Sequence, residues 1–99
     1  MSAYVISDTN PKDPDAWKIY IGLAAAAIKQ YGGRYLSRGN EIDVIEGEWT
    51  PRAIVVIEFP DMATAKAWYA SPEYAKALVY RDKALKRNLI FIDGYKGEN

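Results

Sequence analysis

The order of apolar segments and chain breakers predicts an α+β domain in which strand, helix and strand recur twice, βαββαβ. Three observations carry this reading. A compact apolar strand over residues 54–60 leads into a helix that stops and restarts at Ser71-Pro72. A matching half precedes it, with a short strand near Tyr4, a long helix opening at Asp13-Pro14 and a strand from Arg34. Gly32-Gly33 and Pro60 stand where a helix and a strand have to end.

Residues 3–7 alternate around Tyr4 and Ile6 and read as the first strand. In the following loop, Asp13 is placed to cap a helix, Pro14 has the φ of a first helical position, and Asp15 suits the positive end of the dipole. Trp17, Tyr20, Ile21, Ala24, Ile28 and Tyr31 then recur at the spacing of one helix face. Residues 34–38 form a short strand with a bulge expected at Gly39-Asn40, and Ile42-Asp43-Val44-Ile45 is expected to resume it. After a turn containing Trp49 and Pro51 comes the strongest strand, residues 53–59, apolar on both faces and ended by Pro60. Asp61 caps a helix bearing Ala65, Trp68 and Tyr69. Ser71 caps its continuation, with Tyr74, Leu78 and Leu85 expected on one face. Residues 89–92 are the last strand, and the segment from Gly94, residues 96–99 in particular, reads as a flexible tail.

This is the split-βαβ, ferredoxin-like arrangement: a four-stranded antiparallel sheet with both helices on one face. Residues 3–95 make one domain, since 99 residues leave no room for a second core. The other face of the sheet is left bare although its central strand is apolar on that side too. Packing two such sheets together in a twofold homodimer covers it.

Composition excludes much chemistry. With neither histidine nor cysteine, the chain has no Ser-His-Asp or Cys-His nucleophile, no thiol redox centre and none of the usual zinc, copper or haem ligand sets. No metal site and no cofactor are expected. Thirteen basic residues balance thirteen acidic ones and are interspersed with them, which argues against a nucleic-acid partner. The longest apolar run, residues 23–28, is far short of the roughly 20 residues a membrane span needs. No leader peptide is apparent, and a cytoplasmic location is expected.

Gly32-Gly33-Arg34-Tyr35-Leu36, residues 41–49, Val56-Ile57-Glu58-Phe59-Pro60, Ala67-Trp68-Tyr69 and Ser71-Pro72-Glu73-Tyr74, in this order, resemble the bacterial family called domain of unknown function 1330. The resemblance spans roughly residues 3–95. It implies the dimeric α+β barrel superfamily, whose members include cofactor-free monooxygenases, muconolactone isomerases, haem proteins and stress-responsive barrels. It implies no activity, and the active-site histidines of some of those relatives have no counterpart here.

Glu58 interrupts an apolar strand and is the candidate general base, on the expectation that burial raises its pKa. Its alternative role is an ion pair with Arg34 or Arg38. Arg38 is the candidate anchor for a ligand carboxylate. Trp68, Tyr69 and Tyr74, around the helix break, are candidate walls of a pocket for a small apolar or aromatic ligand, or else core and interface packing. Trp17 and Tyr20 read as core, Trp49 as a latch across a dimer, and Arg81 as solvated or interfacial. Two functions follow. One is a homodimeric binding barrel. The other is a cofactor-independent, monooxygenase- or isomerase-like enzyme that abstracts a proton from a small aromatic or apolar metabolite.

Overall fold

The computed structural model describes residues 1–39 and 41–95; the expected tail, residues 96–99, lies outside them, as does Asn40. Its elements are β1 (Ala3–Pro11), α1 (Pro14–Gln30), β2 (Arg34–Gly39), β3 (Ala53–Phe59), α2 (Met62–Tyr69), α3 (Pro72–Ala84) and β4 (Leu85–Asp93). The strands form one antiparallel sheet in the order β2-β3-β1-β4.

Strand alternation divides the sheet into two unlike faces. Ala3, Val5, Ser7 and Thr9 of β1 are buried against the helices, as are Ile57 and Phe59 of β3 and Leu85 of β4. Tyr4, Ile6 and Asp8 point the other way, in register with Glu58, Val56 and Ile54 on one side and Ile92, Ile90 and Asn88 on the other. Val56, Ile6 and Ile90 thus make an apolar row across the open face, where Ile90 and Ile92 are about half exposed.

The breakers act as expected at three points. Gly32 adopts φ +77°, the left-handed conformation that lets α1 turn into β2. The Asp61 carboxylate accepts from Thr64 N at 2.7 Å, and Ser71 Oγ accepts from Tyr74 N at 3.0 Å while donating to the Trp68 carbonyl at 2.7 Å. Ser71 therefore ends one helix and starts the next. Asp13 departs from expectation. It occupies the N-cap position of α1 without a side-chain cap bond, and its carboxylate lies 3.9 Å from Lys83 Nζ instead.

Three other expectations are corrected. Residues 42–45 form no strand: β2 already pairs as far as Gly39 opposite Ile54, and β3 begins at Ala53, so a continuation of β2 has no partner left on β3. A bulge lies at Leu36, between Tyr35 and Ser37; the one expected at Gly39-Asn40 involves Asn40, which lies outside the described residues. β4 starts at Leu85, so Leu85 belongs to the sheet and not to α3. Gly94 is buried, its amide donating to the Ser2 carbonyl at 2.7 Å, so the strand edge is anchored beyond Asp93.

Gly33 marks the tightest approach between α1 and the sheet. A Cβ there would stand 2.6 Å from the Phe59 ring and 2.9 Å from Ile28 Cγ2, both in the core. Gly33→Ala is expected to lower stability by about 1–3 kcal/mol, the usual cost of overpacking. Urea denaturation measures it, and an unchanged midpoint would show that Phe59 has room to move.

Candidate functional site

A cavity of about 370 Å³ lies between the helices and the inner face of the sheet. Trp17, Ile21 and Ala24 of α1 face Val5, Val55 and Leu89 across it. Its polar end is built by three elements. Arg87 projects from β4, where the sequence Leu85-Lys86-Arg87-Asn88-Leu89 places the guanidinium in register with inward-facing leucines. Arg87 Nη1 donates to Tyr20 Oη at 2.7 Å and Nη2 to Tyr74 Oη at 2.8 Å, and the two hydroxyls lie 2.6 Å apart. Ser7 and Thr9 add a second hydroxyl pair, 3.1 Å apart, on the floor.

Burial, reinforced by the neighbouring Tyr74 and opposed by Arg87, pushes the Tyr20 hydroxyl far above the usual tyrosine range. Tyr20 is therefore a donor at any physiological pH and not a tyrosinate base. Burial works to lower the Arg87 pKa, but the two tyrosine oxygens outweigh it and leave the guanidinium more firmly protonated than usual.

The opposite end is shaped by the bulge. With Leu36 as the extra residue, Tyr35 pairs with Ile57 and Arg38 with Val55, and both partners face the cavity. Without the bulge, residues 35 and 38 would point to opposite faces. Arg38 stacks over the Tyr35 ring, its guanidinium carbon 4.6 Å from the centroid. Burial raises the Tyr35 hydroxyl pKa, with Arg38 pulling the other way.

The expected site residues are thus only partly brought together. Trp68, Tyr74 and Arg38 line the cavity. Trp68 and Tyr74 stack at 4.3 Å, and Trp68 also packs against Phe59 at 5.2 Å. Its Nε1–H is buried without a conventional acceptor, leaving these ring faces as its surroundings. Tyr69 packs behind Tyr74 and turns its hydroxyl to a neighbouring depression, where it accepts from Arg81 at 3.3 Å. Tyr20, expected to be core only, is part of the polar cluster. Trp49, expected to bridge a dimer, donates to Asp8 Oδ2 at 3.0 Å within its own chain while remaining about half exposed.

Glu58 lies elsewhere. It sits on the open face, opposite Tyr4 and Arg34, and does not line the cavity. Its Oε1 accepts from Arg34 Nε and lies 2.7 Å from Nη2 as well. Hydrogen bonds from Ser2 first, and then from Arg34, lower its pKa, where burial was expected to raise it. Any base chemistry by Glu58 belongs to the open face. Glu58→Gln should leave cavity binding unchanged, lower stability at neutral pH and flatten the loss of stability on acidification. A depressed carboxyl contributes above its unfolded pKa, and that contribution is lost as pH falls through the folded value. Ligand titration and acid denaturation of the variant check both, and a loss of ligand affinity would return Glu58 to the site.

A family profile described as domain of unknown function 1330 matches residues 2–95. The chain belongs to the DUF1330 family. No curated protein of known function matches it. Among solved structures, the DUF1330 chain is similar to a protein of unknown function from Rhodopseudomonas palustris, at 18% identity and a TM-score of 0.77 over 96% of this chain and 83% of that one. It is also similar to SnoaB, a cofactor-independent oxygenase from Streptomyces nogalater, at 9% identity and a TM-score of 0.65 over 96% and 94% of the two chains. A dimeric ferredoxin-like protein of unknown function from Jannaschia sp. CCS1 matches at 14% identity, TM-score 0.59, over 95% of this chain and all of that one. These likenesses establish a shared ferredoxin-like fold. Among the described residues of this DUF1330 member, no group of three or more metal-ligating side chains converges and no helix is long and apolar enough to cross a membrane.

Proposed function

We propose that the protein is a homodimeric, cytoplasmic small-molecule-binding barrel that holds an apolar or aromatic metabolite between its helices and sheet. The cavity carries this reading. Its volume falls within the roughly 300–1,000 Å³ of ligand pockets, and its walls are aliphatic and aromatic with polar groups gathered at defined points. The apolar row of Val56, Ile6 and Ile90 supports the dimer, since an exposed apolar sheet face favours a second sheet against it. The dimeric assembly of the Jannaschia protein is in keeping with that.

A thermal-shift screen of planar aromatic and apolar metabolites tests the binding reading, using wild type and Ala24→Leu, which fills the cavity from the α1 side. Hits lost in the variant support it. An absence of hits in wild type, or hits indifferent to the filled cavity, would sink it.

A second reading, a cofactor-independent enzyme, is favoured by one observation: the Arg87 and tyrosine donors are placed to stabilise an enolate or phenolate oxygen. Among the described residues the cavity lining contains no carboxylate to serve as base, so this reading requires a substrate that enters already ionised, as a phenolate or enolate. Turnover of any bound aromatic under air, compared with anaerobic incubation, separates this reading from simple binding.

A further inference from the structure

We infer that the ligand is an organic anion, a carboxylate on a planar apolar or aromatic body, with its charge at Arg87 and its body between Trp17, Ile21 and Leu89. This rests on the binding reading above and adds the ligand's chemical class.

Charge balance is the first argument. Arg87 and Arg38 both line the cavity, and among the described residues the lining has no aspartate or glutamate. The partners of Arg87 among the described residues are two neutral phenols. A buried cation is ordinarily matched by an anion because removing it from water is costly. Here the protein provides a partly buried cation and leaves the counter-charge to come from elsewhere.

Donor counting is the second. A guanidinium has five N–H groups, and two of those on Arg87 are engaged by the tyrosines. The two tyrosine hydroxyls share one hydrogen between them, so one O–H hydrogen is left over, while both oxygens already accept from Arg87. The same arithmetic applies to Ser7 and Thr9. The cavity therefore offers surplus donors at a positive centre. A carboxylate, acceptor-only with two oxygens and able to engage a guanidinium in bidentate fashion, is the complementary group. A neutral hydrocarbon would leave those donors unmatched, and a cationic ligand would be repelled.

The approach to Arg87 is the third. Arg87 also borders a second depression on the β4 edge, shared with Lys12, Arg81 and Lys86, in which Asp82 is the single carboxylate among the described residues. Asp82 is engaged by Arg81 at 3.2 Å. In a chain of zero net charge, Lys12, Arg81, Lys86 and Arg87 make a local excess of cations beside the polar end of the cavity, which favours the approach of anions.

Calorimetric titration of the full chain with 2-naphthoate and its neutral analogue 2-naphthylmethanol tests the inference. Naphthoate is expected to bind roughly 10- to 100-fold more tightly, the range for hydrogen bonds to a charged group. Arg87→Met should abolish that preference and bring naphthoate down to the affinity of the alcohol. If wild type binds both equally, or prefers the alcohol, the anion assignment falls while the cavity reading survives. A folded Arg87→Met variant that keeps the full preference also overturns it. If neither compound binds at millimolar concentration, the binding reading falls with it. Should Arg87→Met not fold, the comparison of the two compounds on wild type still decides.

Discussion

Replacing Tyr74 by alanine is expected to cost the fold about 3–5 kcal/mol, the range for deleting a large buried aromatic. Tyr74 is fully buried between the helices and the inner face of the sheet. Its ring packs on Trp68, Tyr69 and Tyr20, and its amide receives the Ser71 cap. Tyr74→Phe keeps all of that and loses the hydroxyl with its bonds to Tyr20 and Arg87, so it should cost about 1.5–3 kcal/mol, the range for a hydrogen bond to a charged group. Urea denaturation of the pair separates packing from polar contributions. Equal losses in the two variants would mean that the hydroxyl cluster, and not the aromatic stack, holds this corner together.

The second large effect is alkaline. The Tyr20 hydroxyl is held far above its ordinary range, by burial first and by Tyr74 next, whereas in the unfolded chain it ionises near pH ~10. Above that pH the unfolded chain has lost a proton that the folded chain still holds. Stability is therefore full below about pH 10 and falls as pH rises, by up to about 1.4 kcal/mol per pH unit for this one group. Tyr20→Phe removes the proton from both states and should flatten the limb by that amount. Denaturant midpoints of wild type and variant on either side of about pH 10 measure the difference. Parallel curves would show that Tyr20 ionises freely in the folded protein.

Sequence pattern was sufficient for the layers and insufficient for the polar end of the site. Ser71-Pro72, Gly32 and Asp61 act through their own backbone and near neighbours, so their roles are readable from local chemistry. Arg87 is different. Between Lys86 and Asn88 it looks like a solvated run, and only the alternation Leu85, Arg87, Leu89, Phe91 shows that a cation occupies an inward position. That signal was available and was masked by reading the strand as starting at Leu89. The Leu36 bulge is harder to foresee. Leucine has no special backbone preference, and the bulge is defined by pairing with β3, a long-range event. It also decides the fate of the two arginines on β2. Arg34 takes the open face with Glu58, and Arg38 takes the cavity. Residues 42–45 are the opposite case, a locally strand-like pattern beyond the point where β3 can pair with it.

The central position of β1 has a consequence for how the molecule is made. β1 pairs along its whole length with β4, from Ala3 opposite Asp93 to Pro11 opposite Leu85, so its second edge is closed by the last strand of the domain. Contacts of such sequence separation come late, because a long loop must be closed before they give any return. During synthesis β1, α1, β2 and β3 emerge with one edge of the central strand unpaired, and the cation that defines the cavity arrives with the strand that seals it. Nascent or truncated chains lacking β4 would have neither the Arg87–tyrosine cluster nor a protected edge, so the sheet and the polar end of the cavity are completed in the same step.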